Sequence, residues 1–234
     1  MRKSFLIALL AFQCQIALAE SPKKPKSDQA NVPITEVLKS KFPDWELFES
    51  RQVIGDLNGD GIKDFAAILS KEVPADKDNE AKKEALLVVF FGDAKESYQL
   101  KLQAPKAICV GCGGMKAEFG APLGELSIAN GVLLITAEGG SREMWTDVLK
   151  WRWDEKQKQF NLIGETYSVV DTVGEEKPSV TDINFLSQKM IVSIGKKKKT
   201  CKPPPSIKAV TLQDFNFEAE TSRLIYTEAA KLCD

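Results

Sequence analysis

Between Asp56 and Asp64 the chain reads Asp-Leu-Asn-Gly-Asp-Gly-Ile-Lys-Asp, with oxygen-bearing side chains at positions one, three, five and nine and glycine at six. Alternate side chains of such a loop converge, so Asp56, Asn58, Asp60 and Asp64 can face one cation. The backbone carbonyl of Ile62 supplies a further oxygen, and Gly61 permits the sharp turn. Three carboxylates and an amide suit a hard ion, calcium, better than a soft metal. Position twelve is Ala67 rather than a bidentate glutamate. That loss weakens the site unless a remote residue or water replaces the ligand. An affinity on the order of 10⁻⁴–10⁻³ M would still serve outside a cell. The metal-free alternative is an Asp/Asn/Gly turn held by its own Asx hydrogen bonds.

Little else in the chain marks chemistry. There is no histidine among the 234 residues, which excludes Ser-His-Asp and Cys-His nucleophile systems, imidazole acid–base catalysis and His-containing zinc sites. A formal net charge of −1 offers no footprint for nucleic acid. Trp145, Trp151, Trp153 and Tyr167 lie close in sequence with Arg142, Glu143, Asp147 and Arg152. They read either as an aromatic binding groove with polar neighbours or, by strand alternation, as aromatics filling a core while the charges face water. Gly139-Gly140-Ser141 lacks the lysine and spacing of a phosphate loop and reads as a bend. Lys196–Lys199, with Lys202 and Lys208, reads as a solvated hairpin tip or an anionic-surface contact. No pair of acids is marked for glycoside hydrolysis, so no catalytic residue is assigned.

The run Gly55 to Phe65 (GDLNGDGIKDF) resembles the calcium loop of FG-GAP-type repeats in secreted proteins and adhesion-receptor propellers. The resemblance implies a structural ion between two antiparallel strands, with Asp56, Asn58, Asp60 and Asp64 as side-chain ligands and Ile62 as a carbonyl ligand. A propeller needs about four blades or more. This chain carries one copy of the loop and no internal repeat, so the expected fold is not a propeller. Phe119-Gly120-Ala121-Pro122 echoes the family name but lies downstream in the wrong order. Cys112-Gly113-Gly114, Gly124 to Ile135, and Gly139-Gly140-Ser141-Arg142 with Trp145 are also similar to uncharacterised exported bacterial proteins carrying one such loop.

The elements that must position the loop follow from patterning. Residues 1–19 read as a secretory signal peptide: Arg2 and Lys3, an apolar centre, then Ala17-Leu18-Ala19. The apolar stretch is short of the roughly 20 residues that span a bilayer. The expected location is periplasmic or secreted, without a membrane span. Residues 20–33 read as a flexible lead-in, and 34–234 as a single mostly β domain of antiparallel, sandwich-like sheets after one short helix at Ile34–Phe42. Strands are expected at Phe65–Leu69, Ala85–Phe91, 180–194 and Phe215–Phe217, with a last strand or helix near Leu224–Leu232. Hairpins are expected at Leu126–Ile135 around Asn130-Gly131 and at Trp145–Tyr167. Lys71–Lys83 reads as a solvated loop or an exposed helical turn, and Lys196–Lys199 with Pro203–Pro205 mark a loop.

Beyond the signal stretch, Cys109, Cys112, Cys201 and Cys233 remain, an even number that suits two disulfides in an exported chain. The simplest of three connectivities joins Cys109 to Cys112 and Cys201 to Cys233. A redox dithiol at Cys109–Cys112 would want a helix start, and Gly113-Gly114 is a poor one. Zinc would want a second closely spaced pair. The leading expectation is an exported, non-enzymatic calcium-binding protein that binds an envelope polysaccharide or protein, or gives structural support. The alternative is a secreted carboxylate hydrolase with a groove near Trp145, and a third option presents the Lys196–Pro205 segment as an adhesive or inhibitory loop.

Overall fold

The computed structural model describes residues 32–75, 77, 82–95, 97–114, 124–219, 231 and 233. The expected signal peptide, nearly all of the lead-in, Phe119–Pro122 and all of Leu224–Leu232 but Lys231 lie outside these residues. Among the described residues the protein is mostly antiparallel β, in two sheets. No helix among them is long and apolar enough to cross a membrane.

Helix α1 (Val32–Lys41) begins slightly before the expected start. It turns Ile34, Leu38 and Phe42 to one side at four-residue spacing, and Pro43 ends it because proline cannot continue the ladder. The first sheet runs β1 (Glu46–Gly55), β2 (Asp64–Val73), β3 (Lys82–Gly92) and β4 (Tyr98–Ala104), each paired with the next. Phe65, Ala67 and Leu69 of β2, with Leu86, Val88 and Phe90 of β3, pack under the helix. The intervening Ala66, Ile68, Leu87 and Val89 face the main core. Both faces of these strands are therefore covered, so they read as continuous apolar runs rather than alternating ones.

The second sheet is a seven-stranded meander: β5 (Glu125–Ala129), β6 (Val132–Gly140), β7 (Glu143–Asp154), β8 (Gln159–Asp171), β9 (Ser179–Asn184), β10 (Lys189–Ile194) and β11 (Lys197–Cys201). Its inner positions alternate, as expected when one face is buried. Leu133, Ile135, Leu149, Trp151, Phe160, Leu162 and Ile183 join the core of the first sheet. Phe91 crosses between sheets, with ring centroids 4.9 Å from Trp153 and 6.3 Å from Phe160. The Asn130-Gly131 turn has φ of 52° and 73°, the left-handed pair that matches hairpin twist.

Three expectations are corrected. Lys71–Val73 and Lys82–Lys83 belong to β2 and β3, whose ladder continues into the charged run because the sheet projects there beyond its core. Lys197–Lys199 belong to β11, the edge strand of the second sheet, rather than to a loop; lysines on an edge oppose pairing with another chain. Phe215–Phe217 is not a strand. The sheet contact occurs earlier, where Leu162 N–H donates to Val210 O and Leu212 N–H to Phe160 O. Phe215 and Phe217 instead anchor into the core, Phe215 lying 5.1 Å from the Trp151 ring.

The cysteines pair as Cys109–Cys112 and Cys201–Cys233, with Cα separations of 5.9 and 5.7 Å. The two double glycines meet: Gly140 N–H donates to Gly113 O at 3.0 Å. A Cβ at Gly139 would lie 2.7 Å from Trp145 Cε2 and 2.9 Å from Gly113 O. Gly139→Ala is expected to destabilise the protein by about 1–3 kcal/mol through overpacking, read as a lower urea midpoint at unchanged slope.

Candidate metal centre

The loop Asp56–Lys63 closes the β1–β2 hairpin, since Gly55 pairs with Asp64 across the ladder. Gly59 and Gly61 have φ of 81° and 82°, which a residue with a Cβ rarely adopts. Asp56 accepts from Gly59 N–H through Oδ1 (2.7 Å) and from Gly61 N–H through Oδ2 (2.9 Å). Asn58 Oδ1 accepts from Asp60 N–H at 2.9 Å, and Asp60 Oδ1 from Ile62 N–H at 2.8 Å. Asn58 Nδ2 donates to Asp60 Oδ2 at 3.0 Å. The Asx turns of the metal-free alternative are thus formed. They do not compete with ion binding, because each accepting oxygen keeps a second lone pair.

Asp64 differs from the other three. It is fully buried at the start of β2, while Asp60 is exposed and Asp56 and Asn58 are half-buried. Its Oδ2 accepts from Leu57 N–H at 2.7 Å and its Oδ1 from Gly92 N–H at 3.1 Å, tying the loop to the end of β3. A Cβ at Gly92 would overlap the Lys63 carbonyl and sit 3.2 Å from Ile62 Cγ2. Gly92 is a positioning residue that sequence reading missed. Its only signal was the Gly-Asp step ending an apolar run. Burial pushes the Asp64 pKa up to about 6; the Leu57 and Gly92 N–H groups oppose this, and repulsion from Asp60 and Asp56 adds to it. By type the carboxylates, amide and carbonyl suit a hard cation, but the structure does not bring ligand oxygens of Asp56, Asp60 and Asp64 all within 4.8 Å of one another.

Beside the loop, a cleft of about 450 Å³ lies between it, the β3–β4 turn and the β7–β8 turn. Asn58, Asp60, Asp93, Lys101, Trp153 and Glu155 line it. The Trp153 indole N–H donates to Glu155 Oε2 at 2.7 Å, and Lys158 pairs with the same carboxylate; the Lys158 and Trp153 bonds hold its pKa down. Asp93 is held low by the Ser97 hydroxyl and by the Ser97 and Lys95 N–H groups.

The other expected aromatics are core. Trp151 is fully buried, and Trp145 stacks on Tyr167 with centroids 6.5 Å apart. The hydrolase groove expected near Trp145 gains no support from this packing. Arg142 is engaged by Asp171 and Glu175 at a strand end, and that bond holds the Asp171 pKa down to about 2. Asp147, expected to face water when the aromatics fill the core, is instead buried, and so is Glu165, which the sequence did not single out; they are 0% and 1% exposed. Asp147 opposes Tyr167 and Leu149 opposes Glu165, so the acids are diagonal neighbours on one face of β7 and β8. Neither lacks an interacting partner. Period two, extended back from Trp153, Trp151 and Leu149, would have found Asp147.

Compared with family models, curated proteins and solved structures, the chain shows no significant match.

Because the folded pKa of Asp64 lies above its unfolded value, the native state binds the extra proton between the two. In chelator, stability should fall as pH rises from about 4 to about 6, by up to about 3 kcal/mol. Asp64→Asn should flatten this segment of the urea-midpoint profile against pH.

Proposed function

We propose that the protein is a calcium-binding, non-enzymatic module of the FG-GAP-loop kind, working in the periplasm or outside the cell. The ion would be held by Asp56, Asn58, Asp60 and Asp64, with the Ile62 carbonyl as a further ligand. One observation carries the reading: a nine-residue strand connection gathers three carboxylates, whose like charges repel, and one of them, Asp64, is fully buried with both oxygens fixed by backbone N–H groups. A divalent cation at the loop would offset that repulsion and the burial cost together. Its chemistry here is charge neutralisation and the stiffening of a strand connection.

The surroundings of the loop favour binding over catalysis. Asp93 and Glu155 are held in the charged form by hydrogen bonds, the opposite of a carboxylic acid kept protonated for proton donation. The adjoining cleft offers an aromatic ring and side chains of both charge signs to a polar partner such as an envelope polysaccharide or protein. Two disulfides agree with an oxidising compartment, and with the apolar, small-residue-terminated stretch at 1–19.

Thermal unfolding tests the assignment. Calcium at about 100 times its dissociation constant should add roughly 2.7 kcal/mol to the folded state, seen as a rise in Tm that chelator reverses. Asp60→Ala should abolish that rise, while the Tm in chelator reflects only the lost Ile62 and Asn58 bonds set against relieved repulsion at Asp64. Retention of the full calcium shift in this variant would overturn the ligand assignment.

A further inference from the structure

Cys109 and Cys112 are the ends of a short bend, Cys109-Val110-Gly111-Cys112, in which Gly111 has φ of 80°. The bend is docked on the second sheet through the Gly140 N–H to Gly113 O bond. Cys109 is buried and Cys112 exposed. The nearest further candidate ligands in sequence, Met115 and Glu118, lie outside the described residues, and no carboxylate or further sulfur among the described ones is near in sequence. The fold supplies one, because Phe217 N–H donates to Lys106 O at 2.8 Å and the buried Phe217 ring holds residues 217–219 against the bend. Glu218 follows directly, exposed, with its Oε1 3.6 Å from Cys109 Sγ. One ligand atom from each of Cys109, Cys112 and Glu218 lies within 4.8 Å of the others.

We propose that reduction of the Cys109–Cys112 disulfide converts this corner into a three-ligand site for a borderline divalent cation of the zinc class, completed by Glu218. The proposal does not depend on calcium binding at the loop. In the oxidised form the sulfurs are neutral and mutually bonded, and the corner holds no such cation. A dithiol reductant gives two electrons and two protons to the S–S bond. Two thiols form, and the reductant leaves as its own disulfide. The arriving cation displaces both thiol protons to solvent, so two thiolates and one carboxylate become its ligands. Cysteines with two residues between them suit tetrahedral zinc, and two sulfurs favour zinc over calcium or magnesium. Cys112 and Glu218 are both exposed, which leaves an entry path and a fourth position open to water.

Cobalt(II) titrated into phosphine-reduced protein, with excess calcium present, reads the site directly. The expected result is one equivalent bound with sulfur-to-cobalt charge-transfer absorption, displaced by zinc, and absent from the oxidised protein. Cys109→Ala/Cys112→Ala should lose that absorption although the remaining cysteines are still present. Glu218→Gln, a change at an exposed position, should keep the absorption while weakening affinity by at least about tenfold, since even outer-shell ligand partners cost about 10–100-fold. Absence of the band in the reduced protein, its persistence in the double-cysteine variant, or unchanged affinity in Glu218→Gln would each overturn the proposal.

Discussion

The two-sided burial of β2 and β3 is the constraint on which the rest of the structure depends. Their odd and even residues feed different cores, one under α1 and one against the second sheet. Strands buried on both faces cannot slip by one residue without exchanging the two apolar sets. Ladder register is therefore strongly specified here, and with it the placing of Asp64, at the start of β2, beside Gly92, at the end of antiparallel β3. The bond between the Asp64 carboxylate and the Gly92 N–H follows from that register.

The loop at Asp56–Lys63 inherits its shape from this frame. Asp64 lies under it, with both oxygens engaged by backbone donors, and Leu57 is drawn into the core at the loop's other end. The cost is a buried carboxylate among other acids. Neighbouring N–H groups offset part of that cost, and a cation would offset more. The same frame sets Trp153 against Phe91 at the cleft edge, so the cleft and the loop share their supporting strands.

The C-terminal segment depends on the second sheet in a comparable way. Leu212 bonds to the start of β8, Phe215 packs on Trp151, and Phe217 bonds to Lys106. Each contact shortens the path to the Cys109–Cys112 bend. A carboxylate 109 residues from Cys109 thereby arrives beside its sulfur.

Much of this architecture was legible in local pattern. Helical spacing with Pro43, the unbroken apolar runs of β2 and β3, Asn130-Gly131 and the alternation of Leu149, Trp151 and Trp153 each marked an element that the structure contains. The ligand-type residues of the loop were legible because their spacing is local. Strand ends in charged segments, at Lys71–Val73 and Lys197–Cys201, were not, because a ladder partner rather than residue type decides them. Phe215 and Phe217 looked like strand residues because burial and strand propensity share the same amino acids. The contacts of Gly92 and Glu218 and the diagonal placing of Asp147 and Glu165 depended on tertiary structure. Each acts through a neighbour distant in sequence, and one chain read by itself records spacing along the backbone, whereas packing of the sheets decides which spacings close in space.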